Sequence, residues 1–120
     1  MAKILVVEDE ARISGGFKQT LERKGHTVFI AATGADALSI YPKEMPEVVL
    51  LDLGLPDING RHVLTHIKAH APQIKVVVVS GYGDQDIIDE VMKLGADHFL
   101  VKPVIPPKLH QFLEELLAKK

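Results

Sequence analysis

Five residues able to do chemistry stand directly after short aliphatic runs. Glu8-Asp9 follows Ile4-Leu5-Val6-Val7, Asp52 follows Val48-Val49-Leu50-Leu51, Ser80 follows Val76-Val77-Val78-Val79, and Lys102 follows Phe99-Leu100-Val101. Brought together, the three carboxylates would repel one another and push at least one toward its protonated form. A small hard cation such as Mg²⁺ removes that conflict, because it takes oxygen ligands, keeps several waters and is held by one or two carboxylates together with phosphate oxygens. Asp52 is the acid whose backbone is most rigidly held, at the end of four apolar residues. A carboxylate so placed can act as a nucleophile toward phosphorus when a metal and a cation neutralise the phosphoryl oxygens. Lys102 offers the cation and Ser80 a hydroxyl donor.

Each residue also has a plainer reading. Glu8, Asp9 and Glu10 favour the start of a following helix through its dipole, a lone serine after a strand is commonly a turn residue, and a lone lysine is commonly solvated. The set as a whole argues for a shared site, provided the fold delivers all four runs to one edge.

The elements that must do so are legible. Runs of four or so β-branched and aliphatic residues, separated by longer stretches with helical spacing, predict buried strands of a parallel sheet. All strands of such a sheet point the same way, so their ends share the edge at which open α/β sheets bind ligands. Between them, Ala11 to Lys24 predicts a helix with Ile13, Phe17 and Leu21 inward and Gly25 at its stop, and Thr27 to Ile30 a short strand. Gly34 to Tyr41 predicts a second helix, Pro42 to Pro46 a loop, and Arg61 to His70 a third helix burying Val63, Leu64 and Ile67. Asp84 is placed to cap a fourth helix with Ile87, Ile88, Val91 and Met92 inward and Gly95 as its stop. Pro106-Pro107 opens a fifth with Leu109, Phe112, Leu113, Leu116 and Leu117 on its apolar face. The expected architecture is a doubly wound α/β domain of five parallel strands and five helices.

Composition narrows the function classes. At 120 residues with 47% hydrophobic and 25% charged content, the chain has the size and balance of one globular domain. No apolar stretch approaches the ~20 residues of a membrane span. Met1-Ala2-Lys3 leads into the first strand without signal-peptide architecture, and there is no cysteine, so a cytoplasmic location is expected. The net charge of −2 with dispersed basic residues gives no stripe for nucleic acid.

The ordered set Glu8-Asp9, Asp52-Leu53-Gly54-Leu55-Pro56-Asp57-Ile58-Asn59-Gly60, Ser80-Gly81, Gly95-Ala96-Asp97 and Lys102-Pro103 resembles the receiver domain of two-component response regulators, of the CheY-like superfamily. The resemblance covers essentially residues 1–120, as a stand-alone receiver or one excised from a longer regulator. It implies the strand order 2-1-3-4-5 and a phosphoacceptor switch of a phosphorelay. Asp52 would take the phosphoryl group from the phosphohistidine of a sensor histidine kinase or phosphotransfer protein. Glu8, Asp9, Asp52 and the Gly54 carbonyl would hold Mg²⁺. Lys102 would pair with the phosphoryl group, and Ser80 would turn inward to bond it, letting Phe99 pack inward. Lys102-Pro103 is expected to be cis. Such a domain catalyses its own phosphotransfer and autodephosphorylation without being a conventional enzyme. Its output would pass through helix 4, strand 5 and helix 5 to an output domain or downstream protein, with a phosphorylation-dependent homodimer among the outcomes.

Several positions depart from the family's commoner pattern. Glu8 stands where Asp is commoner, Phe99 where Tyr is common, and Gly54 and Tyr82 occupy the positions that tune water access to the acyl phosphate. Helix 5 lacks the arginine-rich pattern of winged-helix regulators that dimerise through this face. Other classes fit less well. A haloacid-dehalogenase-type phosphatase needs an Asp two residues beyond Asp52, where Gly54 stands, and an FMN binder needs a hydroxyl- and glycine-rich loop where Glu8-Asp9-Glu10 stands. A pseudo-receiver serving as a phosphorylation-independent interaction module is the alternative. Three further features stand apart from the strand-end residues. Gly15-Gly16 in a helix is either tolerated weakness or a place of close approach. His62, His66 and His70 at four-residue spacing are read as a solvated helix face rather than a metal stripe. Asn59-Gly60 is read as a turn with no direct chemistry.

Overall fold

In the computed structural model, which describes residues 2–81 and 83–118, five strands alternate with five helices. They are β1 (Lys3–Val7), α1 (Ala11–Arg23), β2 (Thr27–Ala31), α2 (Gly34–Glu44), β3 (Val48–Asp52), α3 (Gly60–His70), β4 (Lys75–Ser80), α4 (Gln85–Lys93), β5 (His98–Val101) and α5 (Pro106–Ala118). The sheet is wholly parallel in the order β2-β1-β3-β4-β5.

The aliphatic runs of β1, β3 and β4 are buried on both sides because successive side chains point to opposite faces. The fourth run, in the edge strand β5, is only half-buried and leaves Val101 50% exposed, contrary to the expectation of a buried strand. Leu5, Val7, Val49, Leu51, Val76 and Val78 join Tyr41, Leu64, Ile67 and Val91 in one core beneath α2, α3 and α4. Ile4, Val6, Val48, Leu50, Val77 and Val79 join Phe17, Leu21, Leu109 and Leu113 in the other, beneath α1 and α5. A one-residue slip of any central strand would exchange its two faces, so packing on both sides fixes the register.

Three boundaries or faces differ from expectation. Pro42 lies inside α2, which runs on to Glu44 and ends at Met45, where φ is 46° and the amide donates to the Tyr41 carbonyl. A proline there forfeits one donor only, in the exposed last turn, while buried Tyr41 holds that turn on the core. α3 begins at Gly60, with Asn59 as its cap accepting from the Arg61 amide. Met92 is 42% exposed rather than inward, leaving Val91 as the buried residue of α4. The Asp84 cap forms as expected, accepting from the Ile87 amide at 3.0 Å.

The entry to β5 is tightly tied. The Asp97 amide donates to the Val76 carbonyl at 2.8 Å, the Val76 amide donates back to Asp97 Oδ2 at 2.8 Å, and Lys68 Nζ lies 2.7 Å from that same oxygen.

Candidate phosphoacceptor site

The register delivers the expected residues to one edge. Val7 pairs with Leu51 across β1 and β3, so the next residues, Glu8 and Asp52, lie side by side. Ser80 pairs with Val101 across β4 and β5, and the Lys102 amide donates to the Ser80 carbonyl at 2.8 Å. β1 lies between β2 and β3, so the chain's winding reverses at this point, the topological crevice where open sheets carry their ligands.

Lys102 Nζ sits 2.8 Å from Glu8 Oε1 and 3.2 Å from Asp52 Oδ2. The second oxygen of Glu8 accepts the Glu10 amide at 3.1 Å, and Asp52 Oδ1 accepts the Gly54 amide at 3.1 Å. Glu8, Asp52 and Ser80 are buried, at 4%, 8% and 2% exposure, whereas Asp9 is exposed. Burial raises the Glu8 carboxyl above its ordinary value, with the neighbouring Asp52 charge acting in the same sense against the bonds from Lys102 and Glu10. Burial acts to lower Lys102, but the bond to Glu8 and the charges of Asp52 and Glu8 outweigh it and hold the ammonium above its usual range.

Carboxylate oxygens of Glu8, Asp9 and Asp52 lie within 4.8 Å of one another. Among the described residues one ammonium, that of Lys102, pairs with them, so the cluster keeps an excess of negative charge and an all-oxygen donor set, which suits Mg²⁺. Gly54 is held beside the cluster by its bond to Asp52. The Lys102-Pro103 peptide is cis. Phe99 is half-buried and packs against the core beneath α3 and α4. Tyr82 lies outside the described residues.

The sequence did not disclose Gly60's part in the site. A Cβ there would fall 2.7 Å from the Leu53 Cα and 2.8 Å from the Asp52 carbonyl oxygen, so α3 starts directly against the end of β3. Neither Asn59 nor Gly60 has a left-handed backbone, which replaces the turn reading with one of close approach. A glycine immediately after a helix cap, where a side chain is ordinarily tolerated, is the signal that could have found it. Asp57 is likewise more than a loop residue. Its carboxylate accepts the Gly34 and Ala35 amides at 2.8 and 3.0 Å, tying the loop after β3 to the start of α2, and these two bonds lower its pKa.

The histidine stripe does not converge on a metal, since its members are absent from the groups whose ligand atoms meet among the described residues. It is not simply solvated either. His66 Nδ1 bonds the Tyr41 hydroxyl at 2.6 Å and its ring stacks on His70 at 4.3 Å.

The response regulator receiver domain model matches residues 4–114. The chain belongs to the receiver domain family. This receiver domain is 33% identical over 118 residues to sporulation initiation phosphotransferase F of Bacillus subtilis, covering 98% of the chain and 95% of that protein. It is 32% identical to the regulatory protein LuxO of Vibrio vulnificus, covering 95% of the chain but 25% of LuxO. Among solved structures it superposes on a CheY-like receiver domain from Methanospirillum hungatei with a TM-score of 0.94 at 33% identity, covering 99% and 95% of the two chains. The beryllium fluoride-activated receiver domain of DrrB superposes with a TM-score of 0.90 at 30% identity, each chain covered to 99%. Receiver domains are two-component signalling switches that work with histidine kinases or phosphotransfer proteins and with output domains. No helix among the described residues is long and apolar enough to cross a membrane.

Proposed function

We propose that Asp52 is the phosphoacceptor of this receiver, taking a phosphoryl group from a histidine kinase or phosphotransfer protein. The observation that carries this reading is the convergence of buried Asp52, buried Glu8 and Lys102 Nζ within hydrogen-bond reach at the switch point of the sheet. An Asp52 carboxylate oxygen attacks phosphorus as the bond to the donor's nitrogen breaks. Mg²⁺, when bound, offsets the charge of the phosphoryl oxygens, with Glu8, Asp9, Asp52 and the Gly54 carbonyl as its holders. Lys102 carries its positive charge beside the reacting oxygens, and Ser80 supplies a hydroxyl donor from the next strand end. The domain catalyses its own phosphorylation and the hydrolysis of the resulting acyl phosphate, and turns over no diffusing substrate beyond its phosphodonor.

The α4–β5–α5 side is the output face in this reading. Val101 and Ile105 are 50% and 55% exposed, and a groove of about 260 Å³ between β5 and α5 is lined by Leu100, Val104 and Phe112 among others. Charge-assisted bonding at the phosphoryl group would bias this face through Ser80, Lys102 and Phe99, as a two-state equilibrium.

Intact-protein mass spectrometry after incubation with acetyl phosphate tests the assignment. A single Mg²⁺-dependent phosphoryl adduct, absent from Asp52→Asn, is expected. An adduct persisting in that variant would move the acceptor elsewhere. No adduct, with no spectral response to beryllium fluoride, would leave a phosphorylation-independent docking module.

A further inference from the structure

A second convergence of metal-ligating side chains lies at the other end of the sheet. His26 is the residue before β2, and His110 and Glu114 are four apart on α5, so both project from one side of that helix. One ligand atom from each lies within 4.8 Å of the others. His110 Nε2 is 2.9 Å and His26 Nε2 3.5 Å from the same oxygen, Glu114 Oε1. His26 is 7% exposed, and its Nε2 is buried without a hydrogen-bond partner, turned toward that carboxylate. A buried ring nitrogen left unpaired is costly and asks for an occupant.

We infer that His26, His110 and Glu114 form a site for a borderline transition-metal dication, with Zn²⁺ as the type. Two imidazoles and a carboxylate are a recurrent three-ligand zinc set, with a fourth position left to water. Ligand distances of 2.0–2.2 Å in a tetrahedral array place ligand atoms roughly 3.4 Å apart. The His26 to Glu114 separation already matches, and the Glu114 side chain, 52% exposed, has room to open the shorter one. His26 and Glu114 line a cleft of about 290 Å³. Lys24 and Glu47 also line that cleft, so one ammonium and one further carboxylate offset each other around the ion. Nitrogen donors separate this site from the all-oxygen cluster at the phosphoacceptor edge, so the two sites sort soft from hard cations.

The resting tautomer supplies a signature. His26 Nδ1 accepts the Ala2 amide at 3.1 Å, so the neutral ring carries its proton on Nε2. A metal needs the lone pair at Nε2. Binding therefore moves the His26 ring proton to Nδ1, where it faces the Ala2 N–H, and that hydrogen bond breaks. At His110 the proton that Nε2 donates to Glu114 likewise leaves for Nδ1 or solvent. Three metal–ligand bonds replace the Ala2–His26 and His110–Glu114 hydrogen bonds, and the turn before β2 becomes stapled to α5.

The test is titration of the whole chain with ZnCl₂ in excess Mg²⁺, followed by histidine ring nitrogen and Ala2 amide resonances and by thermal unfolding. The expected result is one tightly bound ion, an Nε2-to-Nδ1 change of proton at His26, displacement of the Ala2 amide resonance, and a rise in Tm reversed by EDTA. His110→Asn and Glu114→Gln, both changes at solvent-accessible side chains, should each weaken binding by about tenfold or more. Shifts confined to His62, His66 and His70, no shift at His26, or unchanged affinity in both variants would overturn the site.

Discussion

Lys102 is held more closely by Glu8, at 2.8 Å, than by the strand-end aspartate at 3.2 Å. The buried glutamate therefore keeps the ammonium in place and leaves Asp52 only partly engaged. Lys102→Met would strand Glu8, 4% exposed, beside Asp52 with no cation. Breaking a fully buried pair costs about 3–5 kcal/mol, and with the Lys102 side chain 20% exposed the expected loss is about 2 kcal/mol. Urea denaturation in EDTA at neutral pH measures it. Adding Glu8→Gln should recover much of the loss, and equal losses in the single and double variants would count against the coupling.

Gly60→Ala places a methyl group 2.7–2.8 Å from the backbone of Leu53 and Asp52, neither of which is a flexible side-chain tip. Overpacking of this kind costs about 1–3 kcal/mol. Because the displaced atoms belong to the end of β3, phosphoryl incorporation from acetyl phosphate should slow as well. An unchanged rate in a destabilised protein would show that the contact is structural alone.

Asp57 titrates below its ordinary value of 3.8 because it accepts the amides of Gly34 and Ala35. A lowered folded-state pKa means that the ionised form favours folding. The contribution is fully present above about pH 3.8 and is lost as pH falls through the lower, folded-state value. Asp57→Ala should lower Tm at pH 7, with the gap to wild type closing only below pH 3.8. A gap that persists unchanged in acid would assign the effect to something other than ionisation.

Gly15 is exposed, and a Cβ there would meet nothing within 4 Å, so no other part of the described chain requires this glycine. Gly15→Ala should stabilise by about 1 kcal/mol through helix propensity. Measuring phosphotransfer from a histidine kinase alongside stability separates the two readings of the glycine pair. A stabilised variant with unimpaired transfer means tolerated weakness, and impaired transfer means that a partner's backbone passes there.

The strands were legible because β1, β3 and β4 are buried on both faces and must be apolar throughout, leaving their polar terminators conspicuous. Glu8, Asp52 and Ser80 follow from that rule with no knowledge of contacts, while Lys102 follows the apolar run of β5, which is only half-buried. Pro42 was misplaced because a rule about helix interiors was applied to a last turn that Tyr41 anchors. Gly60 and Asp57 could not be placed, since their reasons lie in approaches between elements that spacing along the chain does not encode. His26 gave no local pattern at all, as its companions sit on the last helix. Met92 follows an apolar periodicity that α4 uses only in part.

The knot at Asp97 makes β5 a beam clamped more heavily at its base than at its tip. Its base carries a backbone bond from the Asp97 amide to the Val76 carbonyl, a return bond from the Val76 amide to the Asp97 carboxylate and an ion pair with Lys68. Its tip, at half-exposed Val101, is held by the bond from the Lys102 amide to the Ser80 carbonyl. A load applied at Lys102 thus bends the tip and leaves the base still, so displacement grows along the strand instead of shifting it bodily. Amide hydrogen exchange should follow the same gradient, with Val101 exchanging well before Asp97.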